Sequence, residues 1–140
     1  MTDRYAVFGN PLSHSKSPLI HMTFARDTGE DIDYGKIEPA LDGFAASVAT
    51  FRAAGGRGIN ITTPFKLEAH ALATRRMPRA DSAGAANCLK FEGDEIVAEN
   101  FDRMLTDHRV SRARIEDFLI RVGPIHRRQQ MHVIRHRDLV

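Results

Sequence analysis

The chain has 140 residues, of which 42% are hydrophobic and 27% charged, and a formal net charge of +2. This length suits one ordinary domain, and the composition excludes the low-hydrophobicity balance of a disordered chain. The single cysteine, Cys88, excludes an intrachain disulfide framework and a multi-cysteine metal site. No long apolar stretch predicts a signal peptide or a membrane span, so we expect a soluble, cytoplasmic protein.

The charge changes sign along the chain. Residues 1–102 carry a formal charge of −3, whereas residues 103–140 carry +5, with nine arginines and no lysine. Such an abrupt shift predicts a boundary. We therefore predict a folded domain over 1–102 and a basic, Arg- and His-rich tail over 103–140.

Strand-like and helix-like segments alternate from the N-terminus. Residues 5–8 form an apolar run that predicts a buried strand. Ser17 is the predicted cap of a helix with Pro18 in its first turn and a stop at Gly29. A second strand is predicted over 33–37.

The alternation continues through the middle of the chain. Apolar residues on one helical face predict a helix over 41–54, closed by glycines 55 and 56; they stand at positions 41, 44, 45, 48 and 51. A third strand over 58–62 and a third helix over 67–73 follow. The order predicts an α/β fold: a three-layer sandwich around a mostly parallel sheet covered by helices on both faces.

The end of the domain predicts a hairpin. Residues 83–86 are small and turn-like, and two strand-like runs, 87–91 and 95–98, flank an acidic-glycine turn at 92–94. We therefore predict that the sheet ends in an antiparallel edge. Beyond it, loosely spaced apolar residues predict a helix over residues 103–121.

A polar loop over 10–18 follows the first strand and leads into the first helix. Sheet topology places ligands at such loops, and the N–H groups of a helix start favour an anion. The hydroxyl groups of Ser15 and Ser17 could donate hydrogen bonds to a carboxylate there. By spacing alone, the simpler interpretation is a helix cap at Ser17 and a solvated loop residue at Ser15.

A second polar group surrounds the end of the third strand. Asn60 and Thr62 alternate onto one face, and Lys66 follows a proline-fixed bend. A lysine beside a cleft can bind an alcohol oxygen or exchange a proton with it, although a lysine at a helix start is usually a solvated group. Asn87 and Asp102, at later strand ends, could hydrogen-bond vicinal hydroxyls, or could serve only as turn and capping residues.

Five segments stand out together, in the order YAVFGNP (5–11), HSKSP (14–18), NITTPFK (60–66), AGAAN (83–87) and NFD (100–102). In this combination they resemble the substrate-binding domain of shikimate dehydrogenase. That NADP-dependent enzyme interconverts shikimate and 3-dehydroshikimate in chorismate and aromatic amino acid biosynthesis. The resemblance covers residues 4–102, and the combination is much more specific than any single motif.

The resemblance implies roles for individual positions. Ser15 and Ser17 would hold the shikimate carboxylate, and four residues would contact the ring hydroxyls: Thr62, Lys66, Asn87 and Asp102. Asn60, on the same strand end as Thr62, is counted with the substrate-binding residues. Lys66 and Asp102 would be the catalytic pair, managing the proton of the reacting hydroxyl while hydride passes between substrate and nicotinamide.

Two mild departures from the family pattern are Cys88 after Asn87 and Thr63 before Pro64, and two others affect the site and the cofactor. The family's usual Gly-Asp-Asn-Thr-Asp is Ala-Glu-Asn-Phe-Asp over 98–102, so bulky Phe101 stands beside Asp102 and could shift it or narrow the site. After Asp102 the family continues into an NADP-binding domain with a glycine-rich turn. Residues 103–140 contain a single glycine, Gly123. We therefore expect NADP by family but no complete Rossmann domain and no NADP site in this chain.

Nucleic acid and a metal ion are two further candidate partners of the tail. Its basic character suits nucleic acid, but Phe118 is the only aromatic residue after residue 102, which argues against base stacking. Its histidines could approach a metal, but no cysteine or acid stands among His126, His132 and His136, and a solvated tail fits better.

Three functional hypotheses remain. The first is a family-type dehydrogenase domain that is inactive alone because hydride transfer needs a bound nicotinamide. The second is a non-enzymatic module that binds shikimate or quinate, and the third is a non-functional remnant. The first is favoured by ancestry; a homodimer or a separately encoded nucleotide-binding domain are the macromolecular partners left open.

Overall fold

The computed structural model describes residues 1–102; residues 103–140, with the helix and the tail predicted there, lie outside the described part. The elements within 1–102 are, in chain order, β1 (Asp3–Phe8), α1 (Ser17–Thr28), β2 (Ile32–Ile37), α2 (Phe44–Ala53), β3 (Gly56–Ile61), α3 (Lys66–Leu72), β4 (Arg75–Arg76), α4 (Pro78–Ala83), β5 (Cys88–Glu92) and β6 (Glu95–Glu99). None of these helices has the length and apolar character that crossing a bilayer requires.

One mixed sheet organises the domain, with the strand order β2-β1-β3-β5-β6-β4. β1 pairs in parallel with both β2 and β3, and β5 runs antiparallel between β3 and β6. These pairings confirm the α/β class and the mostly parallel sheet with antiparallel pairs. The edge beside the predicted hairpin is completed by β4, which pairs in parallel with β6 and which the sequence pattern did not predict.

The side chains of β1 alternate between two apolar cores, one on each face of the sheet. Phe8 points into the larger core, where its ring lies edge-on to Phe44 and Phe51. Val7 points into the smaller core with Ala25 of α1. This period of two is what a central strand covered on both faces requires, and it produces the predicted three-layer sandwich.

Two predicted helix starts are wrong. The N-cap of α1 is Lys16, and Ser17 is the first helical residue; the hydroxyl that meets its N–H is that of Ser15, at 3.4 Å. The stop at Gly29 is confirmed by its left-handed φ of 71°. Helix α2 begins at Phe44 rather than at Leu41, because a turn from Ala40 to Gly43 still directs the chain there and leaves the Leu41 side chain exposed.

Gly56 belongs to β3 and not to a helix stop. A Cβ built on Gly56 would lie 2.3 Å from Cε1 of Phe51, so the glycine lets α2 pack closely against the strand that follows it. The preceding residue, Gly55, has a φ of 89° and provides the turn between the two elements.

His21 of α1 is a buried imidazole in the smaller core. Its ring stacks on Tyr34 with the centroids 3.9 Å apart, and its Nδ1 lies 2.7 Å from the Ser17 carbonyl oxygen, to which it donates. Burial lowers the pKa of His21 to about 4, and the hydrogen bond to Ser17 opposes this only in part. The folded protein therefore holds this histidine neutral at pH values where an unfolded chain would protonate it.

This burial predicts a loss of stability in mild acid. Because the pKa of the histidine is near 6.5 in the unfolded chain and about 4 in the folded one, stability is complete above pH 6.5 and is lost as the pH falls toward 4. The loss attributable to His21 should reach about 3 kcal/mol. Urea titrations of the wild type and His21→Gln across this range measure it.

The stability advantage of the wild type over His21→Gln should shrink between pH 6.5 and pH 4. A constant advantage over His21→Gln across the range would show that His21 titrates alike in the folded and unfolded chains.

Candidate functional site

The loops after β1 and β3 meet at the carboxyl edge of the sheet. The Asn10 N–H donates to the Thr63 carbonyl at 3.1 Å, and the Thr62 N–H donates to the Phe8 carbonyl at 2.9 Å. A Cβ on Gly9 would lie 2.4 Å from Cγ2 of Thr62, so only glycine permits this approach. The close contact brings Thr62 beside the loop over residues 10–18, the serine loop, which carries Ser15 and Ser17.

An open cavity of about 300 Å³ lies between these two loops. Its lining includes three residues that the sequence singled out, Ser15, Ser17 and Thr62. Ser15 and Ser17 are half-buried at the start of α1, where helix N–H groups favour an anion. The remaining lining residues are Val7, Pro11, Leu12, Ser13 and His14.

Two side chains from the end of β2 hold the serine loop in place. The Leu12 N–H donates to Oε1 of Glu38 at 2.6 Å, and Nζ of Lys36 donates to the Leu12 carbonyl at 3.1 Å. The Ser15 N–H donates to the same carbonyl. Sequence reasoning missed Lys36 and Glu38, since nothing in the local pattern joins them to a loop more than twenty residues earlier.

Lys66, Asp102 and Asn87 form a second polar group at the same edge. Nζ of Lys66 lies 2.6 Å from Oδ2 of Asp102, and Nδ2 of Asn87 donates to Oδ1 of Asp102 at 2.9 Å. Each oxygen of the carboxylate thus accepts from a different donor, which fixes its plane. The three residues lie far apart in sequence, and the fold brings them together as the resemblance implied.

Backbone hydrogen bonds also fix the main chain at Lys66 and Asn87. The Ala86 N–H donates to the Lys66 carbonyl, and the Ile61 N–H donates to the Asn87 carbonyl, both at 2.9 Å. Oδ1 of Asn87 accepts from the Phe101 N–H at 3.0 Å, so this side chain ties the turn after β6 to the start of β5.

Asn60 is not among the residues that line the cavity. Its Oδ1 accepts from the Tyr34 hydroxyl at 2.9 Å, a contact that reaches across β1 from β3 to β2. Its role as a substrate contact stays a prediction. The structure gives it a hydrogen bond to the tyrosine on which His21 stacks.

Phe101 leaves Asp102 in contact with its partners. The ring is buried, and the guanidinium of Arg79 lies 5.6 Å above it. Although an aromatic residue precedes it, Asp102 still meets both Lys66 and Asn87.

Residues 7–89 match the family model of the shikimate dehydrogenase substrate binding domain. The chain therefore belongs to this family. A shikimate dehydrogenase (NADP(+)) from Nitrosospira multiformis is 55% identical to it over 102 residues, which make up 73% of this chain and 37% of the relative. The resemblance predicted from the five segments is confirmed. The chain spans a little over a third of the length of the curated relatives it matches.

Solved structures share the substrate-binding fold. An Ael1 enzyme from Pseudomonas putida has a TM-score of 0.72 and 57% identity, covering 74% of this chain and 38% of that one. A shikimate 5-dehydrogenase from Thermus thermophilus, solved in complex with NADP(H) and shikimate, has a TM-score of 0.68 and 30% identity, covering 72% of this chain and 38% of that one. Both confirm the α/β fold of the domain.

Proposed function

We propose that residues 1–102 bind shikimate at the carboxyl edge of the sheet. The observation that carries the proposal is the contact of Lys66, Asp102 and Asn87 at the same edge as the cavity of Ser15 and Ser17. A polyhydroxylated ring acid needs one anion site and several convergent polar groups, and these two groups supply them.

The carboxylate of the acid belongs at the serine loop. The two serine hydroxyls can both donate there, and the start of the twelve-residue helix α1 adds a favourable field. The Ser15 Oγ accepts from the Ser17 N–H, which leaves its own proton to donate to the ligand. Thr62 adds a third hydroxyl, because Gly9 has no side chain and lets Thr62 approach the loop closely.

The reacting hydroxyl belongs at Lys66 and Asp102. The ammonium can donate to the hydroxyl oxygen, and the carboxylate can accept its proton, so the pair can hold the alcohol and move its proton. Asn87 fixes the carboxylate plane while this happens. The two side chains are 34% and 53% exposed, which leaves them accessible to a ligand.

Oxidation of the alcohol also needs a hydride acceptor, which NADP supplies for the relative from Nitrosospira multiformis. The turn after β1 does not fit a dinucleotide, because it has one glycine and the side chains of Thr62 and Leu12 occupy the space beside it. We therefore propose that turnover requires NADP bound outside residues 1–102. The activity expected of the described domain is binding alone, and a homodimer or separate nucleotide-binding domain stays a prediction.

Calorimetric titration of the chain with shikimate tests the proposal. Saturable binding is expected, weakened about tenfold in Ser15→Ala, as for the loss of one hydrogen bond to a charged group. Ser47→Ala, which changes a half-buried serine of α2, should bind like the wild type. A folded chain that binds neither shikimate nor quinate would overturn the proposal.

An absorbance assay with NADP+ and shikimate completes the test. No formation of NADPH is expected from this chain alone. Turnover by the chain alone would contradict the assignment of binding without catalysis.

A further inference from the structure

A second ion pair stands behind the turn that carries Asp102. Arg79 and Glu99 meet through two parallel contacts, Nε to Oε1 at 3.3 Å and Nη2 to Oε2 at 3.2 Å. The side chain of Glu99 is 5% exposed and that of Arg79 is 28% exposed. A buried carboxylate needs such a partner, and a fork of two hydrogen bonds also fixes its orientation.

The carboxylate of Glu99 is joined to Asp102 by hydrogen bonds. Its Oε1 accepts from the Asn100 N–H at 2.8 Å, and Oδ1 of Asn100 accepts from the Asp102 N–H at 2.9 Å. Nδ2 of Asn100 donates to the Ala85 carbonyl at 2.9 Å, which anchors the turn to the segment before β5. Arg79 also covers the Phe101 ring. Glu99 therefore holds Asn100, Asn100 holds Asp102, and Arg79 packs on Phe101, so each residue of the turn is linked to the ion pair.

We propose that Arg79 and Glu99 are positioning residues for Asp102. They hold the turn after β6 so that the two carboxylate oxygens of Asp102 face Asn87 and Lys66. The proposal rests on the proposed function for the meaning of Asp102, but its first measurement needs no ligand.

The same strand offers a matched control. Glu95 begins β6 and pairs with Arg75 at 3.2 Å, the distance between Glu99 and Arg79 at its other end. The side chains of Arg75 and Glu95 are 46% and 52% exposed, and they lie at the opposite end of the strand from Asp102. Glu95→Gln therefore removes the same charge from the same strand without touching the turn.

The experiment follows the side-chain amide resonances of Asn87 by NMR, since this amide donates to Asp102. Asp102→Asn gives the position of these resonances without the carboxylate. Glu99→Gln should move them toward that position, and Glu95→Gln should leave them in place. Shikimate affinity should fall about tenfold in Glu99→Gln and stay unchanged in Glu95→Gln.

Arg79→Lys keeps the positive charge but lacks the two-pronged geometry, so it tests the proposal even if Glu99→Gln fails to fold. It should shift the Asn87 resonances in the same direction. Asn87 resonances at the wild-type position in the folded variants would overturn the proposal, whatever their stability. Failure of the wild type to bind shikimate would overturn the proposed function alone, because the NMR result does not depend on it.

Discussion

Replacement of Phe65 with alanine is expected to lower the free energy of unfolding by about 4 kcal/mol, the cost of removing a fully buried aromatic ring. Phe65 is completely buried, and its ring stacks on that of Phe44 with the centroids 5.0 Å apart. It is also the N-cap of α3 and immediately precedes Lys66. The cavity left by its loss therefore lies directly beneath the start of the helix that carries the lysine.

Urea denaturation measures this effect, and Leu67→Ala is the control. Leu67 is two residues further along the same helix, but it is 68% exposed, so its truncation should change stability by less than about 0.5 kcal/mol. Equal losses in the two variants would contradict the placement of Phe65 in the core and of Leu67 at the surface.

Replacement of Lys66 with methionine is expected to weaken shikimate binding about 30-fold, the loss of one hydrogen bond from a charged donor. Methionine keeps the apolar stem of the side chain but cannot donate to the ring hydroxyl or to Asp102. The ion pair is partly exposed to water, so its loss should change stability by less than about 1 kcal/mol. Calorimetry gives the affinity and urea denaturation gives the stability.

Lys90 provides a control of matched environment. Its side chain is 32% exposed and pairs with Glu92, much as that of Lys66 is 34% exposed and pairs with Asp102. Lys90→Met should therefore cost similar stability and leave shikimate affinity unchanged. If Lys66→Met bound shikimate as tightly as Lys90→Met, the lysine would have no part in holding the ligand.

Several strands and helices could be predicted because each has a local signal in the sequence. The apolar run of β1 and the acidic-glycine turn of the hairpin of β5 and β6 are such cases, and both elements were predicted within a few residues. β4 and α4 were missed because two and six residues are too few for a periodic pattern. Leu41 was assigned to a helical face by spacing alone, although the chain is still turning there.

The residues of the candidate site also differ in whether a local sequence signal could predict them. Ser15 and Ser17 were readable from a local loop, but the contact between Lys66 and Asp102 joins residues 36 positions apart, and only the family resemblance brought them together in advance. The pair of Arg79 and Glu99 has no local signature, because its members become neighbours only when α4 packs against β6. Side chains that position the site residues without a local sequence signal can therefore be identified only from the three-dimensional structure.

The strand order has a consequence for the growing chain on the ribosome. Among the strands within residues 1–102, β5 and β6 are made last but lie inside the sheet, between β3 and β4. Until they emerge, β3 presents an open row of N–H and C=O groups that a neighbouring nascent chain could pair with. β4 is made before the hairpin, and it cannot pair with β6, its partner in the described part of the chain, until β6 has emerged. Formation of the hairpin therefore covers the open edge of β3 and at the same time provides the strand with which β4 pairs.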